Sequence, residues 1–117
     1  MSTTSPGPRA PRMTLPTQLV LRALLAEPTR ERYGLEIGQA AGLPSGTIHP
    51  ILARLEGVGW LESRWEQVDP REQGRPRRRY YRLCADGITH AIAALARTRT
   101  STVALTALLP NSAEALS

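Results

Sequence analysis

Residues that interrupt helices and strands punctuate this chain at short intervals, and they constrain what it can build. Pro28, Gly42 with Leu43-Pro44, Gly57 with Gly59, Asp69-Pro70 and Gly74-Arg75-Pro76 all act as stops, turns or loop signals. The segments between them can be read one at a time. Before Pro28, a helix beginning near Pro16 carries Leu19, Val20, Ala23 and Leu24 at helical spacing. Leu21 and Leu25 widen its apolar face, and Thr14 is a candidate cap. A short second helix over 34–41 uses Leu35, Ile37, Ala40 and Ala41 and ends at Gly42, placed for a left-handed cap. After the tight turn, Ser45 is placed to cap a third helix over 46–58. Ile48, Ile51, Leu52, Leu55 and Val58 make one stripe of that helix, and Thr47, His49, Ala53, Arg54 and Glu56 face away from it. Pro50 lacks an N–H and predicts a slightly opened first turn.

The pattern then changes period. Leu61, Ser63 and Trp65 alternate with Glu62, Arg64 and Glu66, which predicts a strand. A second strand over 79–83 puts Tyr81 and Leu83 on the core side, so the two strands form a hairpin with an arginine-rich tip. Trp60, Trp65 and Tyr81 are assigned to the core. Asp86 is a candidate cap for a last helix from about Gly87, with Ile88, Ala91, Ile92 and Leu95 as its stripe. The run Thr98–Thr102 weakens helical propensity before Val103, Leu105, Leu108 and Leu109, so one bent helix and two helices both remain open.

Helix, helix–turn–helix, hairpin, helix is the element order of a winged helix-turn-helix, mostly α with a small β-hairpin. The 117 residues suffice for one domain, with a core of Leu, Ile, Val and Ala because the chain has no Phe. The expected organisation is a flexible arm over 1–13, rich in Ser, Thr, Pro and Arg, and a winged helix-turn-helix over 14–84. A C-terminal helix or helices over 85–110 and a frayed tail over 111–117 complete it.

The net charge of +5 is unevenly placed. Residues 71–82 hold six arginines against one glutamate, and the rest of the chain balances nine arginines with nine acids. Every basic side chain other than His is Arg. A general bias explains Arg over Lys but not the clustering, which marks a footprint for a polyanion. The single Cys84 excludes an internal disulfide and a multi-cysteine zinc site. No acid pair, Cys–His pair or Ser–His–Asp set stands out, and no glycine-rich phosphate loop follows a strand, so neither an enzyme nor a metal or cofactor site is expected. No run of about 18 apolar residues suggests a membrane span, and no signal-peptide pattern opens the chain. A cytoplasmic, nucleoid-associated location is expected.

Three ordered pieces of the chain resemble the PadR-like family of winged-helix regulators. They are Tyr33-Gly34-Leu35-Glu36-Ile37; Ser45-Gly46-Thr47-Ile48-His49-Pro50-Ile51-Leu52 with Arg54-Leu55-Glu56 and Gly59-Trp60-Leu61; and Gly74-Arg75-Pro76-Arg77 with Arg79-Tyr80-Tyr81-Arg82-Leu83. The resemblance implies a homodimeric, double-stranded-DNA-binding repressor whose C-terminal helix or helices form the dimer contact. It also implies that Pro50 is tolerated, since the family places a proline inside this helix. His49 stands where the family usually has Tyr, and the large C-terminal domain of longer members is not expected here. A small-molecule effector is compatible with the resemblance, but nothing in the sequence supports one.

The residue types suit duplex DNA. Thr47 can bond a base edge or meet a thymine methyl, and His49 can donate or accept; either residue can instead be solvated or packed. Gly46 permits close backbone approach, and the free N–H groups after Ser45 suit a phosphate, although Ser45 serves equally as a plain cap. Arg54 lies on the same outward face. Tyr33 is placed either to reach a phosphate or to pack in the core. Arg75, Arg77 and Arg78 would follow the backbone or enter the minor groove, because guanidinium forks match phosphate geometry. Arg79 and Arg82 lie on strands, within reach of Glu62 or Glu66. The alternative function is an RNA- or protein-binding winged-helix adaptor, which an arginine-rich hairpin would also serve.

Overall fold

A computed structural model describes residues 11–108, with side chains through residue 99. Most of the 1–13 segment and the whole 111–117 tail lie outside the described residues. The element order is α1 (Leu15–Ala26), β1 (Arg32–Tyr33), α2 (Gly34–Ala41), α3 (Ser45–Gly57), β2 (Leu61–Trp65), α4 (Pro70–Gln73), β3 (Arg79–Leu83) and α5 (Ala85–Leu108). Thr14 caps α1 as read from the sequence, its hydroxyl accepting the Thr17 N–H at 3.3 Å. Gly42 closes α2 with φ 72°, the left-handed cap the sequence signals.

The three helices α1–α3 pack around one aliphatic centre. Val20, Leu21, Leu24, Ile37, Ile48, Leu52 and Leu55 are essentially fully enclosed. Trp60, Leu61 and Leu83 close this core from the sheet side, and Ala91 and Ala94 close it from α5. Small alanines there let α5 lie close against the body. Met13 packs on the same core, and its carbonyl accepts from the Gln18 side chain at 2.8 Å, so the chain is docked ahead of α1.

The sheet has three antiparallel strands in the order β1-β3-β2, one more than the expected hairpin. Arg32 lies opposite Tyr81 and Tyr33 opposite Tyr80. Two residues are too few to show an alternation, so the sequence gives no strand signal at β1. Arg32 ties this strand to the end of α1 by donating to the Ala23 carbonyl at 2.6 Å. It is buried, and that burial pulls its pKa below the ordinary guanidinium value.

Several expectations need correction. Pro44, not Ser45, occupies the cap position of α3; Ser45 is the first helical residue and makes no capping bond. α3 runs unbroken through Pro50. Leu35 is exposed, because α2 turns Ile37 and Gly38 inward instead. Trp65 is 54% exposed at the end of β2, with the Arg79 guanidinium 5.0 Å from its ring centroid. A short helical turn, α4, capped by Asp69 and ended by Gly74 at φ 67°, sits within the wing loop. α5 starts at Ala85, which puts Asp86 in its first turn, and it runs as one helix of 24 residues through the threonine-rich stretch. The architecture is a winged helix-turn-helix followed by a single long helix.

Candidate nucleic-acid interface

The 3–4 spacing of α3 decides which of its side chains remain available. With Ile48, Ile51, Leu52 and Leu55 turned inward, Gly46, His49, Pro50, Ala53 and Arg54 are left exposed and Thr47 half-exposed. No acid among the described residues pairs with Arg54. Thr47 and Ile48 donate their N–H groups to the Pro44 carbonyl at 3.0 and 3.1 Å. The N–H groups of Ser45 and Gly46, at the very start of the helix, have no carbonyl inside it to reach.

The start of α2 adjoins this face. The His49 ring lies against Gly34, where an added Cβ would stand 3.0 Å from its Cε1. Tyr33 precedes Gly34 at the cap position, and its N–H donates to the Glu36 carboxylate at 3.2 Å. The Tyr33 ring meets the Tyr80 ring edge-on at 5.9 Å and carries the Arg78 guanidinium 4.2 Å from its centroid. Tyr33 thus links the helical face to the wing, a role that its place before α2 does not reveal in the sequence.

The wing is less bare than its composition suggests. Antiparallel pairing lays Glu62 of β2 beside Arg82 of β3, and α3 brings Glu56 to Arg79. Arg82 pairs with Glu62 at 2.5 Å, its register partner, and Arg79 with Glu56 of α3 at 3.3 Å. Arg75 grips Glu66 with both guanidinium ends, at 2.7 and 3.1 Å. Glu66 also accepts the Arg78 N–H at 3.2 Å and donates its own N–H to the Arg78 carbonyl at 2.8 Å. These bonds, the Arg75 pair foremost, hold the Glu66 carboxyl well down, at a pKa of about 2. Of the six arginines in 71–82, Arg71, Arg77 and Arg78 have no acid paired with their guanidinium among the described residues. Arg77 is exposed, and its Nε donates to the Val68 carbonyl at 2.9 Å.

Elsewhere, a cleft of about 650 Å³ between α1 and α5 is lined by Arg22, Leu95, Ala96 and Arg99. Among the described residues no group of three or more His, Cys, Asp and Glu is placed to hold a metal. No described helix is long and apolar enough to cross a membrane.

Residues 20–92 match the family model of the PadR-like transcriptional regulators. This chain belongs to that family. Its fold is shared by a PadR family regulator from Clostridium difficile, with a TM-score of 0.60 at 23% identity over 79% of this chain and 95% of that one. The PcaV transcriptional regulator of Streptomyces coelicolor superposes with a TM-score of 0.65 at 27% identity, over 86% of this chain and 68% of PcaV. BpsR of Bordetella bronchiseptica, whose DNA binding is regulated by 6-hydroxynicotinic acid, gives a TM-score of 0.62 at 18% identity over 90% of this chain and 70% of BpsR. No curated protein matches the chain. As a PadR-like protein it is a transcriptional regulator of winged-helix type. The match spans α2, α3 and the wing, the elements on which the candidate interface is built.

Proposed function

We propose that this PadR-like protein reads double-stranded DNA as a homodimer and represses transcription by covering its operator. One observation carries the reading: the exposed face of α3, the start of α2 and the wing form one continuous surface. His49 rests on Gly34, and Tyr33 supports Arg78. In this reading α3 enters the major groove. Thr47 and His49 meet base edges, and Arg54 and the N–H groups at Ser45 and Gly46 take adjacent phosphates. Tyr33, Arg77 and Arg78 contact the flanking backbone through hydroxyl and guanidinium groups.

The dimer contact is assigned to α5, whose Ile92 is 56% exposed among the described residues. Twofold pairing would set two α3 helices roughly 34–36 Å apart, one turn of DNA. An anionic small-molecule effector is assigned to the cleft between α1 and α5, where Arg22 and Arg99 flank Leu95. Such a regulator works in the cytoplasm, on the nucleoid.

Selection from a pool of random duplexes tests the proposal. The expected product is a pseudo-palindrome with half-sites about one helical turn apart. A pool that never enriches a sequence would refute sequence reading.

A further inference from the structure

A wing that follows a polyanion is expected to offer all its cations, yet this one withholds Arg75. Its guanidinium is closed on both oxygens of Glu66, at 2.7 and 3.1 Å, and its side chain is 29% exposed against 13% for Glu66. The same carboxylate accepts the Arg78 N–H, and the residue 66 N–H bonds the Arg78 carbonyl. One acid therefore does two things. It fixes the backbone from which Arg77 and Arg78 project, and it cancels the charge of the neighbouring arginine.

We infer that Glu66 is a positioning residue: it keeps Arg75 off the phosphate backbone, so that the wing contributes less sequence-independent attraction than its arginine count implies. The inference rests on the DNA-reading function proposed above. Its physical basis is that phosphate contacts strengthen binding to every sequence equally, while base contacts alone discriminate. Holding one guanidinium back therefore lowers affinity for every duplex alike and makes binding less dependent on salt. Because the Glu66 carboxyl lies near a pKa of about 2, the pair stays ionised throughout the pH range of DNA binding.

The salt dependence of binding reads this directly. Each phosphate neutralised adds about 0.9 to the slope of log K against log salt, or roughly eightfold in affinity per tenfold change in salt. The full chain and its Glu66→Gln, Arg75→Gln and Arg77→Gln variants are titrated with a selected duplex and a scrambled one. Glu66→Gln keeps an acceptor for the Arg78 N–H but frees Arg75, so its slope steepens by about 0.9 and its affinity for both duplexes rises together. Arg75→Gln keeps the wild-type slope, and Arg77→Gln lowers it by about 0.9. An unchanged or shallower slope in Glu66→Gln overturns the inference, as does a shallower slope in Arg75→Gln, since Arg75 would then already touch phosphate. If Arg77→Gln leaves the slope untouched, or the wild type binds neither duplex, the DNA reading of the wing fails and the inference falls with it.

Discussion

Replacing Gly87 with alanine should reverse the usual effect of that substitution in a helix. Gly87 lies inside α5, and Gly→Ala in a helix ordinarily stabilises by about 0.5–1 kcal/mol. Here, however, an added Cβ would overlap the carbonyl group and Cα of Trp60. That peptide cannot swing away: the Trp60 N–H donates to Leu55 at 3.0 Å, and its carbonyl accepts the Cys84 N–H at 3.1 Å. The Trp60 side chain, 6% exposed, is wedged into the core and stacked on His90 at 5.7 Å. Relief must therefore come from moving α5 away from Ala91 and Ala94. Overpacking of this kind costs about 1–3 kcal/mol, more where backbone must shift, which outweighs the intrinsic gain. A net loss of about 1–2 kcal/mol corresponds to a fall of about 4–16 °C in Tm for a domain of this size. Gly57→Ala is the matched control. Gly57 also lies in a helix, but its Cβ would meet nothing within 4 Å, so Tm should rise. Thermal unfolding followed by circular dichroism measures both. A Gly87→Ala protein as stable as the wild type, or more so, would refute the packing argument.

Three other outcomes are expected. Thr47→Ala should relax the preference at one base position at a cost of roughly 1–3 kcal/mol, and equal losses on selected and random duplexes in an anisotropy titration would contradict its role. Light scattering at micromolar concentration should report a dimer; a monomer alone would remove α5 as the dimer contact. Glu66 has a folded pKa of about 2 against an ordinary 4.5, so its stabilising effect is present above pH 4.5 and lost as the pH falls towards 2. The Tm difference between wild type and Glu66→Gln should shrink across that window, and a constant difference would show that the Arg75 pair is not its source.

The helices were legible because each carries a strong period between clear stops. α2 lies where Gly34 and Gly42 bound it, and the buried stripe of α3 is the one its spacing gives. What escaped was set by tertiary contact. β1 exists because Arg32 and Tyr33 meet Tyr81 and Tyr80, residues remote in sequence. Trp65 reads as core by alternation but is more than half exposed at the end of β2. The pairing of Arg82 with Glu62 follows from strand register and was within reach of the sequence. Glu56 reaching Arg79 from α3, and Glu66 closing on Arg75 across the wing loop, depend on how the hairpin folds over the helix. Charge clustering therefore located the candidate interface, but not how many of its cations are free.

The central claim is that α3 and the wing together read duplex DNA. Fluorescence-anisotropy titration of the full chain against the duplex upstream of its own gene, a scrambled duplex and a structured RNA, each at two salt concentrations, tests it most directly. The account predicts tighter binding to the upstream duplex, with a preference that survives the higher salt. Equal binding to all three that disappears as salt rises would contradict it, leaving only the charge of Arg71, Arg77 and Arg78.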